Sequence, residues 1–550
     1  MALVSGGTAS AGTGRFASDL DADVLVVGAG PVGCWLAAEL CAAGLRVLVI
    51  EARESRVAWS RGFVVHPRTL EIFDSRGVAQ RLLEAGRRLP TWHFAMGSRR
   101  LDFSALPTAF PFVLIQPQAR TEELLEEHLN RHGGHVLRGQ RAVGLTQHAG
   151  HVAVRVLRDG AEHALTASFV VGCDGARSAV RQAAGIGFSG SPDTMVSPSA
   201  LVELAEPPPP EQYMQTRKDG LFFAIALPEG RFVVSTIDHS VMHEVETPWT
   251  AEMVRASLIR ITGTDYGMGR PERVSTIGNS ARQAHRYRDR RVLLAGDAAH
   301  IHFPMGGQGM NLGIQDAHNL AWRLTAAVHA ERGKPDATAL PDALLDGYET
   351  ERRPVGERVL EDVRTQMALV AATGADGAAL RSRFEALLFE HPEVNLQYAL
   401  RLSGLDVRYP GPDCGDPRLG ARVPDLLLDM PTPPFDLPPA EGGTRLYDLL
   451  RAIGPGIFTR LNVTGETAAT SAVEGKPDDQ VVSIAVRSIL GPGWALEAGW
   501  GRAEAIVIRP DGHVADISIL TVQSSATSGG ERVVGPRSEA MRNPDPAAEP

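Results

Sequence analysis

Gly28-Ala29-Gly30-Pro31-Val32-Gly33 is the stretch that most restricts what this chain can fold into. Before it, Val24-Leu25-Val26-Val27 is a short apolar run that stops at glycine, as a buried parallel strand does. After it, residues 31–43 read as a helix with Trp35, Leu36 and Leu40 on one face and Gly44 as its stop. Residues 46–50 form the next strand, which completes a βαβ unit and an α/β beginning. In such a unit Gly28 makes the tight turn, Gly30 lets the backbone approach a pyrophosphate, and Gly33 permits close helix–strand packing. Pro31 and Val32 open the helix, whose N-terminus offers free N–H groups and the positive end of its dipole to phosphates. Glu51 ends the second strand eighteen positions after Gly33, where a carboxylate binds a ribose diol, and Ala52 and Arg53 follow it. The pattern predicts a bound dinucleotide and leaves open whether it carries nicotinamide or flavin.

At 550 residues, and roughly 150 per domain, the chain has room for two to four domains. Its 43% hydrophobic and 22% charged residues exclude a chain disordered throughout, a fibrous repeat and a membrane bundle. No uninterrupted apolar run nears the ~18 residues of a membrane span. Residues 1–20 lack the basic end and apolar core of a secretory signal. The net charge of −10 argues against nucleic acid or an anionic membrane surface as partner. Four cysteines make no disulfide framework, and Cys34 and Cys41 lie about 10 Å apart by helical rise, too far to bridge. A cytoplasmic protein is expected. No Cys or His cluster has metal-ligand spacing, so no metal is expected.

Beyond residue 50 the simple alternation stops. Residues 121–131 read as a helix with Glu122 and Glu123 in its first turn, and residues 151–157 as a strand turned at Asp159-Gly160 into a hairpin. Residues 221–227 and 231–237 are further strands, while helical spacing governs residues 310–330 and 343–372. The expected organisation is α/β. A Rossmann-like nucleotide domain is drawn from residues 21–91, 116–185 and 286–408. A mostly antiparallel β-sheet substrate domain, from residues 92–115 and 186–285, is interleaved with it. A small α/β domain follows at 409–520, and tails at 1–20 and 521–550 are expected to be disordered.

Two later segments distinguish the cofactors. Gly172-Cys173-Asp174-Gly175-Ala176-Arg177-Ser178 follows a strand-like run, and Asp174 and Gly175 can form a turn presenting N–H groups, with Arg177 and Arg181 as cations. Residues 291–300 are an apolar strand ending in Gly296-Asp297, followed by Pro304, Gly306-Gly307-Gln308-Gly309 and Met310-Asn311 at the head of a long helix. With the first glycine loop, these segments resemble the single-component FAD-dependent aromatic hydroxylases, which include para-hydroxybenzoate hydroxylase and phenol hydroxylase. The resemblance spans roughly residues 21–365.

The resemblance implies that Asp297 hydrogen-bonds the ribityl chain of FAD and that Pro304, Gly307, Gln308, Gly309, Met310 and Asn311 lie along the flavin. A helix N-terminus there stabilises the negative charge of a reduced flavin. It also places Arg61 near the flavin or its phosphates, and Gln118-Ala119-Arg120 against FAD. The implied reaction is NADPH- or NADH-driven insertion of one atom of O2 into a bulky aromatic or polyketide-like substrate by a flavin hydroperoxide, with hydroxylation the expected outcome. Baeyer–Villiger insertion and a catalytically silent partner protein are the alternatives. One strand-anchored G-x-G-x-x-G argues against the first, since the usual Baeyer–Villiger flavoenzymes carry two, and the intact motifs argue against the second.

The catalytic group is not legible. His93, Tyr213 and His239 are the polar candidates for substrate activation, and alternate residues of 221–225 and 232–234 are candidates for a dry wall opposite the flavin. His300 and His302 are expected to be structural or pocket-lining. Residues 348–354 read as helix packing and ion pairs. Through Ile508-Arg509-Pro510-Asp511-Gly512-His513-Val514-Ala515, the C-terminal region resembles, more weakly, the terminal hairpin of the thioredoxin-like extension of phenol hydroxylase and of polyketide-modifying relatives. It has no C-x-x-C, which leaves packing or homodimer contact as its use.

Overall fold

The computed structural model describes residues 20–57, 62–227, 230–333, 339–411, 415–430, 442–463 and 481–519, together with 434, 435 and 437. Ala22–Val27 is buried at every position, as a strand covered on both faces must be. It pairs in parallel with Val47–Ile50 on one side and Ala161–Gly172 on the other. Val136–Leu137 continues the parallel order beyond the former and Val292–Leu294 beyond the latter. The glycine loop, the Asp174-Gly175 segment and Gly296-Asp297 therefore leave the carboxyl ends of three adjacent parallel strands, the edge at which open α/β sheets bind ligands. Helix Pro31–Ala42 packs between helices Gln118–Arg131 and Gly309–Gly333, and all three share one apolar core with the sheet.

Asp159 and Gly160, at φ 53° and 79°, turn the antiparallel hairpin of Val152–Arg158 and Ala161–Gly172. Two positive φ values are what a two-residue turn between twisted strands requires. The helix expected at 121–131 starts three residues earlier, at Gln118, because Pro117 caps it and cannot lie inside it.

The second layer is a five-stranded antiparallel sheet, in the order Met214–Arg217, Gly220–Ala226, Arg231–Asp238, Val196–Glu203, Arg273–Gly278. Side chains alternate across it. Phe222, Ala224, Phe232 and Val234 pack under helix Ala251–Thr262, with Val254, Leu258 and Ile261. Leu221, Phe223, Ile225 and Val233 face a cavity. Residues 92–115, read with this layer from sequence, do not join its sheet. Val113–Ile115 pairs with Val64–Val65 and Arg87–Leu89, and among the described residues Thr91–His93 pairs only with Arg100–Asp102.

The C-terminal region has its own apolar core and a four-stranded mixed sheet in the order Val481–Val486, Phe458–Val463, Ala503–Ile508, Val514–Ile519. Its Asp511 is 1% exposed. The carboxylate accepts hydrogen bonds from Asn319 Nδ2 (3.1 Å) and Trp322 Nε1 (3.2 Å) of the long helix Gly309–Gly333. Arg509 bridges to Glu351 of helix Ala339–Ala371 at 2.7 Å. Cys414 and most of the proline-rich passage near 431–439 lie outside the described residues, as do the two tails. Among the described residues no helix is long and apolar enough to cross a membrane.

Candidate functional site

The first loop uses its glycines in two ways. Gly28 sits at φ +103°, and a Cβ there would stand 2.4 Å from the Cys173 carbonyl oxygen; one on Gly33 would stand 1.9 Å from that of Gly28. Both positions exclude a side chain because the protein's own backbone fills the space. At Gly30 a Cβ would meet nothing within 4 Å, and the residue faces a cavity of about 660 Å³. Pro31 and Val32, at the helix start, line the same cavity. Glu51 holds the loop in place: its carboxylate accepts the Ala29 N–H and the Arg53 N–H, each at 3.0 Å. Glu51, Ala52 and Arg53 all reach the cavity wall.

The second motif meets the first across the Gly28–Cys173 contact. Asp174 Oδ2 accepts the Ala179 (2.7 Å) and Val180 (3.2 Å) N–H groups at the start of a short helix, while among the described residues Oδ1 is buried without a partner. Burial pushes its carboxyl above the usual range. Gly175, at φ +79°, and the exposed Arg177 line the cavity. Arg181 does not serve as a cation there. Its guanidinium donates to the Ala298 and Ala176 carbonyls, each at 2.8 Å, and so ties this motif to the third.

In the third motif Gly296, at φ +62°, packs against Val32, where a Cβ would lie 2.9 Å from a methyl. Its N–H donates to Asp316 (3.2 Å), whose buried carboxylate also meets His300 at 2.6 Å and Arg352 at 2.8 Å. His300 is thus structural. Asp297, next in sequence, is exposed and turned to the cavity. His302 lines the cavity as well, and burial lowers its pKa to about 4, so it is neutral near pH 7. Gly306 and Gly307 have φ near +75°. The Gly306 carbonyl accepts hydrogen bonds from His66 Nε2 (2.8 Å) and Trp92 Nε1 (3.2 Å), which fixes the loop. Pro304, Gly307, Gly309 and Met310 reach the cavity.

Other expected contacts are placed differently. Asn311 is a staple: its Oδ1 accepts the His66 N–H (2.8 Å), and its Nδ2 donates to the Val64 and Gly307 carbonyls (2.9 and 2.8 Å). Gln308 is buried and turned away, toward Leu402 and Gly404. Gln118 lines the cavity, but Arg120 pairs with Glu123 and does not. Arg61 lies outside the described residues.

A second cavity, of about 1000 Å³, shares Val64, Arg177, Pro304 and Gly307 with the first. The five-stranded sheet supplies one wall. Sequence reasoning did not find its polar part, a serine row across three strands. Ser199 lies beside Ser235 and Ser275 in register, Ser199 Oγ meets Ser275 Oγ at 3.1 Å, and Ser197 Oγ meets Ser235 Oγ at 2.9 Å. The usable signal was period-two alternation, which puts Ser197, Ser199 and Leu201 on one face. Of the three polar candidates, only His93 lines this cavity. Tyr213 packs against the helix side of the sheet, and His239 sits at an exposed turn near Lys218. Among the described residues no group of three or more Cys, His, Asp or Glu could hold a metal.

Comparison with known proteins shows the family. Residues 21–363 match the family described as FAD binding domain. The chain is 40% identical over 500 residues to the uncharacterized aromatic compound monooxygenase YhjG of Bacillus subtilis, covering 90% of this chain and 93% of that one. It is 36% identical over 499 residues to the rifampicin monooxygenase of Streptomyces venezuelae, covering 90% and 94%. The solved structure of the anhydrotetracycline hydroxylase OxyS from Streptomyces rimosus superposes with a TM-score of 0.78 at 34% identity, over 92% of this chain and 97% of that one.

Proposed function

The chain belongs to the FAD-dependent aromatic hydroxylases, and from that premise we propose that it hydroxylates a bulky aromatic, polyketide-like molecule with one atom of O2, at the expense of NADPH or NADH. The observation that carries this reading is the junction of two cavities. Three loops from adjacent parallel strands converge on the first, and Val64, Pro304 and Gly307 connect it to a larger, partly apolar second. The volume of the second, about 1000 Å³, suits a multi-ring substrate.

The residues present fit FAD. Gly30 leaves space that no described residue fills, Arg177 offers a cation, and the start of helix Gly309–Gly333 offers a positive dipole end. On this reading Gly28, Gly30 and Arg177 hold the pyrophosphate, Glu51 the ribose, and Asp297 the ribityl chain. FAD bound there would supply two-electron reduction by the nicotinamide and activation of O2. The protein positions the ring to be attacked and keeps water out, with Leu221, Phe223, Ile225 and Val233 as the dry wall.

The C-terminal region reads as a thioredoxin-like extension without thiol chemistry. Support comes from its mixed sheet, in which Phe458–Val463 pairs in parallel with Val481–Val486 and antiparallel with Ala503–Ile508. Packing or homodimer contact remains its proposed use, and the cytoplasm, which supplies NAD(P)H, the proposed location.

The purified protein should be yellow, and NADPH should bleach it without oxygen. A colourless protein that takes up no added FAD refutes the assignment. Asp297→Ala should weaken FAD retention about tenfold or more, for loss of a charged hydrogen bond; unchanged retention removes Asp297 from the site. Product NMR after turnover separates a new phenol from a ring-expanded ester, the Baeyer–Villiger outcome.

A further inference from the structure

We propose that His93 donates a hydrogen bond from Nε2 to an oxygen of the bound aromatic substrate, and so selects which ring edge faces the cofactor cavity. The inference rests on the substrate reading above and names the substrate's recognised group: a phenolic or quinone oxygen on a planar polycycle.

The geometry begins with the backbone turn that follows His93. Ala95 and Met96 have φ of 50° and 58°, left-handed values that cost a residue with a side chain energy unless its surroundings impose them. Three contacts impose them here. Ala95 N–H donates to Gln366 Oε1 (3.0 Å), Thr216 Oγ1 donates to the Met96 carbonyl (2.5 Å), and the Ser98 N–H donates to Glu385 (3.1 Å). The strained turn has one local consequence. It directs the Met96 N–H onto His93 Nδ1, at 3.3 Å.

An imidazole nitrogen that accepts a hydrogen bond carries no proton, so in neutral His93 the proton sits on Nε2. The ring is neutral near pH 7: burial, with Arg100 and His66 adding in the same direction, lowers its pKa to about 3. The residue is 4% exposed, packs beside Trp92 with ring centroids 4.9 Å apart, and lines the larger cavity. Its polar neighbours in that wall are of other kinds, and one of them, the Thr236 hydroxyl, is also buried without a partner among the described residues. The serine hydroxyls are engaged with one another, Asp174 caps a helix, and Arg53, Arg177 and Arg273 are exposed. A neutral, oriented N–H in a partly apolar cavity suits an uncharged or weakly acidic oxygen, and leaving it unpaired disfavours a ring without one.

The test uses the FAD-loaded full chain and two tricyclic probes, 1,8-dihydroxyanthraquinone and the oxygen-free anthracene. Binding is followed by the visible band of the first and the fluorescence of the second. His93→Leu should weaken the quinone about tenfold and leave anthracene within about threefold, while His93→Gln, which keeps a donor, should recover most of the loss. A merely structural role would move both probes together, and that result overturns the proposal. So does equal quinone affinity in wild type and His93→Leu. If wild type binds neither probe, the polycyclic substrate reading fails and takes this inference with it. Should His93→Leu not fold, His93→Gln decides: loss of quinone selectivity over anthracene in a normally yellow protein counts against the donor role, and its retention supports it.

Discussion

Gly30→Ala separates the two reasons for which a glycine stands in the first loop. Gly30 has φ −73° and ψ −176°, open to any L-residue, and its Cβ would touch no atom of the described residues within 4 Å. The apo protein should therefore fold, and should gain about 0.4–1 kcal/mol because alanine narrows the unfolded ensemble. The added methyl projects into the space assigned to the pyrophosphate. Forcing a methyl into a filled contact costs about 1–3 kcal/mol, or roughly 5- to 150-fold in Kd. Stability and cofactor affinity should thus move in opposite directions. Thermal melts of the apo forms read the first, and quenching of FAD fluorescence on titration reads the second. Gly28→Ala is the contrast: at φ +103°, with the Cys173 oxygen 2.4 Å from the new Cβ, it should lose stability even without cofactor. If Gly30→Ala binds FAD as wild type does, the phosphates do not lie against this loop and the argument from its empty space is wrong.

Asp511→Ala removes the carboxylate that accepts from Asn319, Trp322 and Arg509 and leaves Glu351 as the one carboxylate on Arg509 among the described residues. It should cost about 3 kcal/mol, with limited proteolysis releasing the C-terminal region first; an unchanged melt and cleavage pattern would show that the contact does not hold that region. Glu39 is buried, which works against its charge, yet Arg76 at 2.9 Å and His318 beside it more than offset this and hold its pKa at about 2, below the ordinary 4.5. Its stabilisation is present above about pH 4.5 and is lost as pH falls toward 2. The melting-temperature gap between wild type and Glu39→Gln should therefore be widest near neutrality and shrink below pH 5, and a gap constant with pH would contradict the pairing.

The loops that line the proposed cofactor cavity were legible because their signals are local. Each motif couples a strand, a glycine-forced turn and a helix start, and those need only neighbouring residues. What the sequence could not show is that the three strands are adjacent and parallel, since that pairing joins Ala22 to Ala167 and Val170 to Val292. Individual misses have the same origin at smaller scale. Gln118 and Arg120 lie in one helical turn, but two residues rotate a side chain by about 200°. Gln118 thus reaches the cavity while Arg120 turns to Glu123. Met310 and Asn311 differ by about 100°, so one lines the cavity and the other staples the Val64 loop. The substrate half depends almost wholly on such facing. Phe222 and Phe223 are indistinguishable as composition, yet one is under the helix and the other in the cavity. His93 could be told from Tyr213 and His239 only once the fold placed it in the cavity wall, and its orientation depends on a left-handed turn at Ala95 and Met96 that no glycine announces. The chemistry of this chain is therefore written in its backbone punctuation and its selectivity in side-chain facing, so relatives that keep all three loops should diverge in substrate through positions such as 93, 199 and 223.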